Sequence, residues 1–183
     1  IVFALFLTSC GGPDRFGVIA KDLKSSDVKI RSAALGRLGS MKSSSTAAVP
    51  YILKALKDDS EEVRISALNA LVSLDMKSQL GAIGDVVQND KSVDVRKKAM
   101  DSAVSMAPES SETLGILKDA MNGQDLAISV AAATKIFDLG KGASHVNELV
   151  AVMKKELDEG DASSPPTMAM RLGGDLGPKA AAA

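Results

Sequence analysis

A twelve-residue stretch, Val63 to Leu74, recurs along the chain and limits what the chain can fold into. Related stretches begin at Ile30, Val95 and Ile128, at offsets of 33, 32 and 33 residues, and each of them follows a short polar turn. A period of this length is typical of solenoids, in which each repeat packs mainly on its neighbours. The sequence therefore predicts a stack of similar units.

Each copy of this stretch has the pattern of a helix with one buried face. The first column is β-branched, the fifth column is always alanine, and the sixth and ninth columns are mostly larger apolar residues. At about 100° per residue these columns share one face of a helix. The alanines, which we expect at close helix contacts, are Ala34, Ala67, Ala99 and Ala132.

A second helix is predicted in front of each copy. Five segments carry apolar residues at positions i, i+3 and i+7, a spacing that gives one buried stripe. These segments begin at Phe16, Val49, Leu80, Leu114 and Val146. We therefore predict an all-α fold, an α-solenoid of about five antiparallel helix pairs, with the repeats covering residues 16–157 and no sheet.

An arginine occupies the second column of three copies, inside the predicted core arc. A guanidinium in a half-buried seam is costly unless its donors meet carboxylates or carbonyls. The arginines are Arg31, Arg64 and Arg96, and the acids of the preceding turns are Asp27, Asp58, Asp59 and Asp90. We interpret this arginine ladder as structural rather than catalytic, and we expect it to stop in the fourth copy, where the position is Ser129.

The repeated pattern is an acidic turn, a Val/Ile-Arg pair, and an alanine and a leucine that follow, at a pitch near 32 residues. This pattern resembles HEAT repeats of the short kind noted in phycobilisome lyases. The resemblance covers about residues 14–157. It implies an α-solenoid whose second helices line the concave surface. It does not imply lyase chemistry, because the same repeats serve as binding scaffolds in unrelated proteins.

The N-terminal stretch IVFALFLTSCGG contains Leu7-Thr8-Ser9-Cys10, which resembles the lipobox of bacterial lipoproteins. The resemblance implies cleavage before Cys10 and a diacylglycerol on its thiol. Residues 1–9 would then be a signal-peptide remnant, and residues 10–15 the lipidated cysteine and a linker. The seven apolar residues are too few to span a bilayer. The alternative is that residues 1–10 form a buried first helix with an inert cysteine.

This N-terminal resemblance also implies a location, the bacterial cell envelope. Gly11 follows the cysteine, where enteric lipoproteins of the inner membrane carry aspartate, and this favours the outer membrane or the periplasmic face.

At the C-terminal end of the sequence, we expect residues 158–166 to form a polar linker and residues 167–183 to belong to a truncated further repeat.

Composition and motifs give little sign of chemistry. Lys plus Arg, 22 residues, nearly balances Asp plus Glu, 23 residues, so no strong overall field attracts nucleic acid or an anionic membrane. One histidine and one cysteine supply neither a zinc site nor a Cys/His dyad, and we expect His145 to be an ordinary surface residue. No phosphate-binding glycine motif lies between a strand and a helix. We therefore expect a non-enzyme without a cofactor or metal.

The candidate partner-binding surface is a stripe on the second helices, two and five residues after the arginine column. Its members beyond the first copy are Ser66, Asn69, Lys98, Asp101, Ala131 and Thr134. Small, mostly neutral residues favour an extended peptide or a partner helix over a polyanion. We therefore favour a protein- or peptide-binding scaffold; the alternative is an accessory or regulatory module of an enzyme, bilin-lyase-like or fused to a catalytic domain outside this sequence.

Overall fold

The computed structural model describes residues 15–41 and 45–159, so Cys10, the predicted signal-peptide remnant and the predicted repeat at 167–183 lie outside the described residues. Within the described ranges the chain forms nine α-helices and no strand. Their bounds are α1 Arg15–Asp22, α2 Val28–Gly39, α3 Ser45–Ala55, α4 Glu61–Ser73, α5 Leu80–Asn89, α6 Val93–Met106, α7 Ser111–Met121, α8 Leu126–Asp138 and α9 Val146–Glu159. Short 3-10 turns, Lys77–Gln79 and Gly142–His145, precede α5 and α9.

The helices form successive pairs, and the predicted all-α solenoid is confirmed. Four pairs are complete in the described residues, α1/α2 to α7/α8, and α9 takes the place of the first helix of a fifth. The described part of α9 reaches Glu159, and residues 160–166 of the predicted linker lie outside the described residues.

The core consists of the columns read from the repeat. All four column alanines are fully buried, as are the sixth- and ninth-column side chains. In the first column Val63, Val95 and Ile128 are buried, but Ile30 is 43% exposed, so its expected place in the core is wrong. The three buried residues each have a preceding helix pair beside them, whereas α1 and α2 are the first pair of the described residues.

The second helices pack on one another along the whole stack, α2 on α4, α4 on α6 and α6 on α8. Gly39 permits a close approach of α2 to α4, because a Cβ there would lie 3.2 Å from the Cα of Ala70. Among the first helices, by contrast, α5 and α7 pack together while α3 and α5 diverge. The close packing of the second helices and the gap between α3 and α5 determine where the two candidate surfaces lie.

Two second helices end in the same hydrogen-bonded motif built on different residues. After α4 the N–H of Met76 donates to the carbonyl of Leu71, and after α8 the N–H of Lys141 donates to that of Ile136, the pattern of a Schellman cap. The left-handed position of the first cap is Asp75, with φ 50°, and that of the second is Gly140, with φ 70°.

Candidate functional site

The most deeply buried charged side chain among the described residues is that of Arg64, which is 3% exposed. Its Nε and Nη2 donate to the two carboxylate oxygens of Asp90 at 2.7 and 2.9 Å. Its Nη1 donates to the carbonyls of Asp58 and Asp59 at 2.9 and 3.1 Å. This bidentate pair with two carbonyl contacts meets the requirement for a buried arginine.

Arg31 repeats this geometry one unit earlier. Its Nε and Nη2 contact the carboxylate of Asp58 at 2.9 and 2.8 Å, and its Nη1 donates to the carbonyls of Ser25 and Ser26 at 2.8 and 3.2 Å. The turn at Asp58 is therefore held from two sides, because its carboxylate accepts from Arg31 while its carbonyl accepts from Arg64. Such shared turns link consecutive repeats.

The carboxylate that pairs with each arginine comes from the equivalent turn of the following repeat. The sequence pattern instead predicted pairing with the acids of the preceding turn. Asp27 accepts from the N–H of Lys29 and caps α2, and Asp59 contacts Arg64 only through its carbonyl. The arginine side chain reaches the neighbouring repeat, so the nearest carboxylate lies one turn further along the stack. The preceding turn contributes its backbone oxygens.

The fourth turn has a different and less complete arrangement. Arg96 contacts Asp125 through Nη2, while its buried Nε has no hydrogen-bond partner. The cause is position: Asp58 and Asp90 each lie six residues before an arginine, whereas Asp125 lies four residues before Ser129, at the N-cap of α8. The place six residues before Ser129 is taken by Gly123, which has no carboxylate to offer.

The carbonyls of this fourth turn are nevertheless occupied. The hydroxyl of Ser129 donates to the carbonyl of Gly123 at 3.1 Å. The Nζ of Lys155, on α9, donates to the carbonyls of Gly123 and Gln124 at 3.2 and 2.8 Å. The arginine column ends at Ser129 as expected, but hydrogen bonds between repeats continue through a lysine from the next helix. The repeat pattern contains no signal for Lys155.

Electrostatics favour the charged forms in these pairs. The hydrogen bond and ion pair with Asp58 raise the pKa of Arg31 above its usual value, although burial opposes this. Burial raises the pKa of Asp58, but hydrogen bonds from Arg31 and from the N–H of Ser60 outweigh it, and the net pKa is lowered. The pKa of Asp125 is lowered for the same kind of reason, with the N–H of Ile128 and Arg96 opposing its burial.

The predicted partner-binding stripe lies on the second helices and is partly engaged in contacts of its own. Asn69 and Asp101 are exposed, and the other four members, Ser66, Lys98, Ala131 and Thr134, are half-buried. Asp101 forms an ion pair with Lys135 across α6 and α8. The structure brings Asp101, Ala131 and Thr134 together in a shallow groove of about 320 Å³, and Ser66, Asn69 and Lys98 lie outside it.

A larger cleft opens between α3 and α5, where the first helices diverge. Its volume is about 1020 Å³. Apolar side chains from both helices line it, and the ion pair of Arg64 and Asp90 forms part of its wall. The rim carries Lys54, Lys57, Asp59, Asp85 and Lys91. The repeat pattern gives no signal for this cleft, because the cleft depends on how far apart two neighbouring first helices lie.

His145 is buried, so its interpretation as a surface residue is wrong. Its Nδ1 lies 2.9 Å from the carbonyl of Lys141 and 3.1 Å from the hydroxyl of Ser144, inside the 3-10 turn before α9. A turn that folds back on the chain buries a side chain that helical periodicity leaves outside. Among the described residues no group of acidic, histidine or cysteine side chains is arranged to hold a metal ion.

The repeat geometry invites comparison with known proteins. Residues 18–103 match the family model for HEAT repeats. The matched segment runs from within α1 into α6 and includes the two complete ladder turns. A crystal structure of an engineered protein from a structural genomics consortium is similar, with 18% identity and a TM-score of 0.49 over 79% of this chain and 72% of that one.

No curated protein sequence matches the chain. Of the helices in residues 15–41 and 45–159, none combines the length and the apolar character needed to cross a bilayer. HEAT repeats generally act as protein-interaction scaffolds.

Proposed function

We propose that the chain is a non-enzymatic scaffold that binds a protein or peptide partner. The observation that carries this proposal is the open cleft of about 1020 Å³ between α3 and α5, which exceeds the groove on the second helices about threefold. A cleft of this size accepts an apolar side chain together with part of the segment that carries it.

The composition of the cleft supports a peptide rather than a polyanion. Its floor offers Leu53, Leu56 and Val86, and its rim has charges of both signs. A buried apolar anchor surrounded by polar residues is the usual anatomy of a binding hot spot. The turns beside it are held by Arg31 and Arg64, so the cleft walls are fixed before a partner arrives.

The proposal includes a location. The Leu-Thr-Ser-Cys motif supports lipidation at Cys10, which would hold the scaffold at the bacterial envelope, with the outer membrane or the periplasmic face favoured. Two or more acyl chains anchor a protein stably. The partner would then be another envelope protein or a peptide segment of one.

Photocrosslinking separates the two candidate surfaces. Photoreactive residues would be placed in the cleft at Lys54 and Asp85, on the stripe at Asn69 and Asp101, and at the exposed control position Asp119, which lines neither cavity. We expect one and the same partner to be captured from both cleft positions. Capture from the stripe alone would favour the second-helix surface as the binding site. Equal capture from Asp119 would contradict a defined site.

The anchor is tested separately in a bacterial host. The full chain should incorporate labelled fatty acid and change mobility when the lipoprotein signal peptidase is inhibited. A Cys10→Ser variant should lose the label and leave the detergent phase. If that variant still partitions like the wild type, lipidation does not hold the protein at the membrane.

A further inference from the structure

The N-terminal end of the described solenoid exposes two large apolar side chains. Val18 on α1 is 54% exposed and Ile30 on α2 is 43% exposed. The equivalents of Ile30 in the next three repeats are buried, each with a preceding helix pair beside it. Ile30 therefore points to the side where a preceding repeat would pack.

Val18 points the same way. In the fourth repeat its column is occupied by Ile116, which packs back on α5 of the preceding repeat, because a Cβ at Gly84 would lie 3.1 Å from the Cγ1 of Ile116. By the same geometry Val18 faces away from α3. Val18 and Ile30 thus belong to one surface, the end face of the first repeat.

Three lysines lie beside this end face. Lys21, Lys24 and Lys29 are exposed, and none of them forms an ion pair within the described residues. Lys21 lies three residues after Val18, on the same side of the helix, and Lys29 lies with Ile30 in the first turn of α2. Of the acids in the first repeat, Asp22 is paired with Arg37, which leaves Asp27 to oppose the three positive charges.

We propose that this end face, defined by Val18, Lys21, Lys24, Lys29 and Ile30, rests on the anionic headgroups of a bilayer. Exposed apolar side chains among unpaired lysines suit that surface, because lysines are attracted to anionic headgroups while apolar side chains enter the interface. The orientation on the membrane rests on the proposed lipidation of Cys10. Arg15 follows Cys10 by five residue steps, a span of at most about 18 Å.

The geometry gives the scaffold an orientation. With the acylated cysteine within about 18 Å of the start of α1, the first repeat is the part of the solenoid held nearest the bilayer. The stack then extends away from the membrane, and the cleft between α3 and α5 lies in the second and third repeats, beyond the end face. The partner site stays accessible while the first repeat contacts lipid.

Vesicle binding tests the end face without the lipid anchor. The full chain carrying Cys10→Ser would be sedimented with phosphatidylcholine vesicles containing about one-third phosphatidylglycerol, and with pure phosphatidylcholine vesicles. Replacing Lys21, Lys24 and Lys29 with Gln should weaken binding to the anionic vesicles roughly 100-fold, since each lysine near such a surface contributes about a factor of five. The matched control replaces Lys54, Lys91 and Lys118 with Gln and should change binding less than about threefold.

A second variant, Val18→Ser with Ile30→Ser, should weaken vesicle binding without unfolding the chain, because both side chains are exposed. The proposal is overturned if the control triple variant loses as much binding as the end-face variant, or if the protein binds neutral vesicles equally well. It is also overturned if the serine variant changes the oligomeric state instead, since the face would then join two copies. Fatty-acid labelling of Cys10 has its own result, so either proposal can fail alone.

Discussion

The turn between α5 and α6 and the turn between α7 and α8 accept arginines of the same column in different ways. At the first, Arg64 meets a bidentate carboxylate. Arg64 also donates to two carbonyls of the turn before α4 and is almost fully buried. At the second, Arg96 has one carboxylate contact and a buried Nε without a partner. The difference comes from where the aspartate lies, six residues before the column at Asp90 but four residues before it at Asp125.

An arginine that recurs in the same column of successive repeats is not enough to define an interaction. The arginine is the same in both repeats, and the residue that decides its environment belongs to the next turn. In the fourth turn the acid serves as the N-cap of α8, and a lysine from α9 takes over the carbonyls. The ladder is a relation between neighbouring repeats.

The largest effect is expected at the complete turn. Arg64→Met should lower the free energy of unfolding by about 3 to 5 kcal/mol, because it leaves the carboxylate of Asp90, 6% exposed, without its partner. Arg96→Met should cost about 1 kcal/mol or less, since its pair is more exposed and half formed. Denaturant unfolding of both variants measures the difference, and equal losses would contradict the comparison.

The buried alanines of α4 and α8 should respond alike. Ala67→Leu and Ala132→Leu should each destabilise by about 1 to 3 kcal/mol through overpacking, because both alanines are fully buried. Ala131→Leu, at a half-buried position, is the control and should stay within about 0.5 kcal/mol. A repeat that tolerates leucine at its buried alanine would show that the repeats differ in their cores and not only in their turns.

Acid should weaken the pairs whose aspartates have a lowered pKa. The lowered pKa of Asp58 adds stability above its unfolded value, about 4, and this contribution is lost as the pH falls through the folded value. Asp58→Asn should therefore be less stable than the wild type at pH 7, with the two converging toward pH 2. Urea unfolding across this range checks it, and parallel curves would mean that Asp58 is not the titrating group.

A carboxylate can be added at the incomplete turn. Gly123→Asp places an acid six residues before Ser129, within the arrangement that serves Arg64, and should stabilise by up to about 1 kcal/mol. Gly123→Ala isolates the cost of the new Cβ, which would lie 3.2 Å from the carbonyl of Ala120. If the aspartate variant is no more stable than the alanine variant, the carboxylate position is not what separates the two turns.

The smallest effect is expected at the caps that end α4 and α8. Here the second repeat, and not the fourth, has the less favourable arrangement. Asp75→Gly should stabilise by about 0.5 kcal/mol, because aspartate occupies a left-handed position that Gly140 occupies without strain in the fourth repeat. The exposed pair of Asp75 and Lys77, at 3.5 Å, contributes little. Thermal unfolding of Asp75→Gly beside Gly140→Ala, which should destabilise, checks both signs.

The order and kind of helices follow from the sequence alone. Periodicity at 32 to 33 residues, the alanine column and the apolar stripes identify the helix pairs and their buried faces, because these patterns are local and repeat in register. The need of Arg31, Arg64 and Arg96 for partners follows in the same way, since it depends only on their position in the core arc.

Tertiary structure decided which groups meet those needs. Three features depend on how neighbouring repeats are offset and spaced. They are the pairing of Arg31 with Asp58, the contact of Lys155 with the fourth turn, and the cleft between α3 and α5. The exposure of Ile30 and the burial of His145 likewise depend on what packs beside each position. A repeat pattern specifies which face of a helix is buried, whereas the rigid-body placement of one repeat on the next sets which side chains come within hydrogen-bond distance.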